Sequence, residues 1–248
     1  MGPLFFPCAR YLLLIASTAS TLLAVSASAG DYPALIAQLR SLEPEERVSA
    51  MDALVKAGPQ AVAEVVGSVK GARSREMAGR ILARMGSKIL PDLMSLLDDS
   101  QRRMAAGGFL FQLIGPESSH LAPKLLDCVS NKPEVKHYCG QALVKAMSPR
   151  AAAQAGKLAA ALKDNNPDVR LYAAAALGQV GPHAASAVPA LGKALEDPEV
   201  AVRAAAADAL AKMGANAKSA VPALRQAAFG ANPELKRRIE TALQEING

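Results

Sequence analysis

The sequence predicts an all-α solenoid of about seven short helical hairpins. Three observations predict it. The chain repeats against itself at an offset of 33 residues. A basic residue with a leucine seven positions later recurs along its length. The composition is 51% hydrophobic but only 4% aromatic, with no Trp. Alanine makes up the difference, and alanine favours helices that pack closely. Strands would ask for β-branched and aromatic residues instead.

The first segment stands apart. Residues 1–29 begin with one basic residue, Arg10, followed by an apolar stretch from Tyr11 to about Val25. Ala27-Ser28-Ala29 then precede Gly30 as a small-x-small cleavage pattern. These three parts make a secretory signal peptide. The apolar core is about 15 residues, short of the roughly 20 that a spanning helix needs. An uncleaved signal acting as an anchor is the alternative. Cys8 precedes the apolar core and would leave with the signal, so the mature chain keeps Cys128 and Cys139.

The repeat is clearest where Leu162 onward (LKDNNPDVRLYAAAALGQVGPHAASAVPAL) is set against Leu195 onward (LEDPEVAVRAAAADALAKMGANAKSAVPAL). The basic position recurs as Arg47, Arg75, Arg103, Lys136, Arg170, Arg203 and Lys236. The leucine recurs as Leu54, Leu82, Leu110, Leu143, Leu177, Leu210 and Leu243. The spacings are 28, 28, 33, 34, 33 and 33 residues, which places repeats near 31–58, 59–86, 87–115, 116–148, 149–181, 182–214 and 215–248. Residues 30–248 thus form one solenoid domain behind the signal. In the sixth repeat, helix A is expected from about Ala184 to Glu196 and helix B from about Val200 to Met213, with Gly214 as a left-handed stop. Val202, Ala206, Ala209, Leu210 and Met213 share one face of helix B, for Val188, Leu191 and Leu195 of helix A to meet. A lone hairpin cannot bury that face, so stability must build along the array.

The pattern D-x-x-x-x-V-R-x-x-A-A-x-A-L-x-x-x-G at Asp164–Gly181 and Asp197–Gly214 resembles HEAT repeats, as do the A-V-P-A-L segments at Ala187–Leu191 and Ala220–Leu224. In particular it resembles the short HEAT-like repeats first associated with phycobilin lyases. The likeness spans the mature chain, is strongest in the last three repeats and departs at Asn131, Lys136 and Gly230. It implies a right-handed superhelix used mostly as a protein-binding scaffold, with B helices lining the concave surface. A fold used so widely does not identify a function.

On that surface, Met104, Phe111, His137, Tyr138, Gln141, Leu171 and Tyr172, with Gly107 and Gly108, form the candidate partner-binding patch. Charged positions flank it, including Asp52, Arg80, Asp208 and Arg237. Aromatic and apolar groups inside a charged rim suit an interface centre. The alternative is that some of them pack against neighbouring helices. The ladder through Arg103, Lys136, Arg170 and Arg203 reads as structural, each cation pairing with a turn Asp of its own or the next repeat. A stripe for acidic ligands is the competing reading. Cys128 and Cys139 lie at similar distances from their hairpin's turn, so they read either as a disulfide or as inert buried thiols.

The net charge of +6 comes with no dense Lys/Arg block, so it reads mainly as a solvated surface. The three histidines, His120, His137 and His183, are not followed by Glu. HEAT-like deoxyhypusine hydroxylases resemble this architecture but hold iron with His-Glu pairs. No zinc spacing, nucleophile elbow or phosphate-binding loop is found either. The expectation is an exported, periplasmic or secreted, non-catalytic scaffold for a protein partner. It uses no cofactor, has no membrane span once the signal is removed, and does not bind nucleic acid. A chromophore-lyase-like subunit or a repeat-fold DNA glycosylase is the enzymatic alternative. Export argues against both. Electrostatic binding to an acidic polymer or membrane surface is the third reading, and it predicts strong salt dependence.

Overall fold

A computed structural model describes residues 30–248. The expected signal peptide, with its cleavage point and Cys8, lies outside the described residues. Fourteen α-helices follow in order: α1 (Tyr32–Gln38), α2 (Pro44–Ala57), α3 (Val62–Gly67), α4 (Ala72–Met85), α5 (Leu90–Ser95), α6 (Arg103–Leu113), α7 (Ala122–Asn131), α8 (Lys136–Ala146), α9 (Ala155–Ala161), α10 (Pro167–Val180), α11 (Val188–Ala194), α12 (Val200–Met213), α13 (Val221–Ala228) and α14 (Pro233–Asn247). The odd-numbered A helices are short and each packs on the longer B helix that follows it. The architecture is an all-α solenoid.

The A helices begin later than their apolar pattern suggests. In the sixth hairpin a 3-10 segment occupies Gly181–Ala187, and α-helix begins only at Val188. The reason is Pro189. It has no N–H to donate to Ala185, and its ring would strike that carbonyl in the interior of a helix begun at Ala184. Proline fits the first turn of a helix, so the α-helix starts where Pro189 is its second residue. Pro91, Pro123 and Pro222 set the starts of α5, α7 and α13 in the same way. The A helix also ends at Ala194, short of Glu196.

Helix α12 runs over Val200–Met213, and Val202, Ala206, Ala209, Leu210 and Met213 are all buried. Gly214 ends it at φ 54° and ψ −137°, and Gly181 ends α10 at φ 63° and ψ −138°. The positive φ was expected, but the ψ is not that of a left-handed helix. This region is open to glycine and strained for any side chain. It turns the chain sharply into the next 3-10 segment.

One continuous core of buried residues runs along the array. From α6 to α14 the B helices pack on each other far more extensively than the A helices do. Small residues allow this: a Cβ on Gly178 would lie 3.1 Å from Ala209 Cα.

Candidate functional site: the B-helix surface

The ladder is built from backbone carbonyls first and carboxylates second. Arg170 Nη1 donates to the carbonyls of Asp164 (2.9 Å) and Asn165 (3.2 Å) in its own A–B turn. Arg203 Nη1 does the same to Asp197 (2.6 Å) and Pro198 (3.0 Å), and Arg47 Nη1 to Ser41 and Leu42 (both 2.8 Å). Arg103 Nε reaches the Leu97 carbonyl at 2.9 Å. Each side chain thus closes the turn that precedes its helix.

Three rungs also reach forward to the next repeat. Arg103 pairs with Glu134 at 3.0 Å, Lys136 with Asp168 at 2.6 Å, and Arg170 with Asp197. The last is bidentate, with Nε at 2.6 Å and Nη2 at 2.9 Å. Asp197 also accepts the Glu199 N–H at 2.9 Å. Burial pushes the Asp197 carboxyl up, but the Arg170 hydrogen bonds, the Glu199 N–H and the nearby guanidinium charges outweigh it. The net result is an acid held below its ordinary value. Lys136 is held above its ordinary value by its hydrogen bond to Asp168 and that carboxylate's charge.

The candidate patch separates into exposed and packed members. Met104 is 50% exposed and Phe111 39%, and His137 and Gln141 are also exposed. Tyr138, Leu171 and Tyr172 are half-buried against the core. The two tyrosines fill notches left by glycines on the preceding B helix. A Cβ on Gly107 would lie 3.2 Å from Tyr138 Cδ2, and one on Gly140 only 2.2 Å from Tyr172 Cε2. Tyr172 Oη shares a 3.0 Å hydrogen bond with His137 Nδ1. Burial, with the charge of Asp168, raises the Tyr172 phenol against the opposing pull of Lys136. Lys145 sits 5.5 Å from the Phe111 ring centre and donates to the carbonyls of Phe111 (3.1 Å) and Gln112 (2.9 Å). It therefore caps the C-terminal end of α6, where a cation is favoured. The patch open to a partner is Met104 and the Phe111 edge, bordered by His137 and Gln141.

The glycine notches were not read from the sequence, although a signal exists. Gly107 and Gly140 sit four residues after their ladder cations, and Tyr138 and Tyr172 sit two residues after the next ones. Adding a methyl group tests the fit. Gly140→Ala is expected to destabilise the protein by about 1–2 kcal/mol, because displacing the Tyr172 ring outweighs the helix preference of alanine. In a Tyr172→Ala background the same change should stabilise by roughly 0.5–1 kcal/mol. Urea unfolding of the four variants reads the change of sign.

Cys128, late in α7, and Cys139, early in α8, are joined by a disulfide within one hairpin. Among the described residues, no group of three or more His, Cys, Asp or Glu is placed to hold a metal ion. Nor is any described helix long and apolar enough to cross a membrane.

These features define a class: an α-solenoid in which each hairpin buries its neighbour and the B helices pack on one another in a row. Residues 155–244 match the family model of HEAT repeats, so this part of the solenoid is built of HEAT repeats. An engineered protein of known crystal structure is similar at a TM-score of 0.52 and 20% identity, over 88% of this chain and 96% of its own. A designed armadillo repeat protein in complex with peptide (KR)4 is similar at a TM-score of 0.52 and 19% identity, over 88% of this chain and 100% of its own. At such identities the likeness shows the fold alone. No curated protein matches the sequence.

Proposed function

We propose that the chain is an exported, non-catalytic scaffold that binds a protein partner through the B-helix surface of its third to fifth repeats. The observation that carries the reading is the exposure of Met104 and Phe111 together on one B helix, α6. The designed armadillo protein holding a peptide illustrates the use to which a stacked-helix surface is put. The leader-like residues 1–29 and the paired cysteines support an oxidising compartment outside the cytoplasm.

The test is crosslinked capture of the full-length protein from its native cells, beside a Met104→Glu/Phe111→Glu variant. Tyr172 is a poor choice for substitution because its ring fills the Gly140 notch. Enrichment of one envelope or secreted protein, lost in the variant, is the expected result. A set that survives the variant but washes away in salt would replace this reading with surface-charge binding. The captured chain should begin at Gly30 on N-terminal sequencing, and an intact Met1 would reject signal removal.

A further inference from the structure

The forward-reaching ladder fails at the first junction, and a cavity opens there. At the third, fourth and fifth rungs the cation meets an acid of the next repeat. That acid lies two residues before the next rung, as in Glu134 and Asp168, or six residues before it, as in Asp197. For Arg47 the corresponding positions in the second repeat are Arg73 and Val69. One carboxylate position has become a guanidinium and the other is apolar. Arg47 still closes its own turn through Nη1, but it faces cations across the junction rather than an acid.

The space between these two turns is a cavity of about 610 Å³. Arg40, Arg47, Lys70 and Arg73 line it, and no Asp or Glu does. Glu46 lies outside the lining and is engaged by the Ser41 hydroxyl. The N-terminal end of α4 opens onto the same space through Gly71 and Ala72, adding its partial positive charge. The rest of the wall holds Ser41, Ser68 and Ser74 and apolar groups that include Leu42, which is 93% exposed, and Met77.

We propose that this cavity binds an acidic peptide segment in which a carboxylate sits beside an apolar side chain. The carboxylate takes the place of the missing acid of the rung, and the apolar side chain covers Leu42 and Met77. Charge complementarity selects the occupant. The chain's own first 29 residues hold no Asp or Glu, so they cannot supply the group. The site lies on the A–B turns of the first two repeats, away from Met104 and Phe111, so it stands or falls independently of the B-helix reading.

Fluorescence polarisation with a labelled alternating Glu-Leu peptide and the full chain tests the proposal. Binding should weaken about tenfold or more in a Lys70→Glu/Arg73→Glu variant and again in about 0.5 M salt, since salt screens charges that stay exposed to solvent. Lys70 and Arg73 are exposed and lie outside the core, so circular dichroism of the variant should match the parent. Leu42→Ser should weaken binding severalfold, whereas Lys193→Glu/Lys218→Glu, a matched charge change on the sixth and seventh repeats, should leave it unchanged. Equal affinity in the Lys70/Arg73 and Lys193/Lys218 variants would overturn the site. Binding of octanoate with none of the peptide would overturn the peptide assignment and make the occupant a free amphipathic acid.

Discussion

Replacing Asp197 with alanine should lower stability by about 3 kcal/mol, the lower end of what breaking a buried ion pair costs, because this pair is part-buried. The side chains of Arg170 and Asp197 are only 11% and 7% exposed. Removing the carboxylate leaves a part-buried guanidinium facing no acid and frees the Glu199 N–H from its acceptor. The fifth and sixth repeats then lose their polar tie while keeping their apolar contacts. Arg170→Ala should cost a similar amount for the complementary reason. The double variant should fall well short of the sum, because neither charge is then stranded. A cycle that came out additive would mean the pair does not act as a unit. Acid should separate the same variants. The Asp197 carboxyl is held below its ordinary value in the folded protein, so its contribution is complete above the ordinary carboxylate range and is lost as pH falls through the folded value. Unfolding curves of parent and Asp197→Ala should therefore draw together as pH falls below the ordinary carboxylate range and stay apart at neutral pH. Parallel curves down to pH 2 would refute the linkage.

Asp197 also shows what could be read from the sequence and what could not. The repeat, the bounds of α12 and its buried face were legible because they rest on period and on glycine and proline chemistry. The turn Asp and the ladder Arg were visible as a motif, but their partners were not. Two repeats with identical Asp–Arg spacing give the pair no direction. Geometry resolves it: Arg203 closes its own turn through the backbone of Asp197, while the Asp197 side chain serves Arg170 of the preceding repeat. The candidate patch was less legible for a similar reason. Tyr138 and Phe111 look alike as aromatic positions on outward B-helix sites, but Tyr138 lies over a glycine of the neighbouring helix. Phe111 has no such notch and stays 39% exposed beneath Lys145. Exposure there depends on the residue about 31 positions earlier, which a pattern confined to one repeat does not contain. The start of α11 was misplaced because apolar spacing alone ignores the hydrogen bond that Pro189 cannot make.

Reducing the Cys128–Cys139 disulfide should lower stability by about 3 kcal/mol, from the chain entropy released by opening an 11-residue separation. Cys128→Ala/Cys139→Ala should show the same loss and no further response to reductant. Both cysteines are buried, 1% and 0% exposed, in the fourth of seven hairpins, so reductant reaches them only when that hairpin opens. Opening an interior hairpin sacrifices contacts with neighbours on both sides, whereas a terminal one loses a single interface. Reduction of the folded protein should therefore be slow, and it should accelerate in variants that weaken the fourth repeat's junctions, such as Gly140→Ala. This kinetic protection bears on where the protein works. A bond made once in an oxidising compartment would persist, while a chain kept among cytoplasmic reductants would present two thiols from synthesis onward. Thiol trapping in native cells reads that difference directly. A disulfide in most of the molecules agrees with export and with the leader-like character of residues 1–29. Two free thiols would remove the strongest support that residues 30–248 lend to an extracytoplasmic scaffold, and the binding role of the B-helix face would then have to be sought among partners inside the cell.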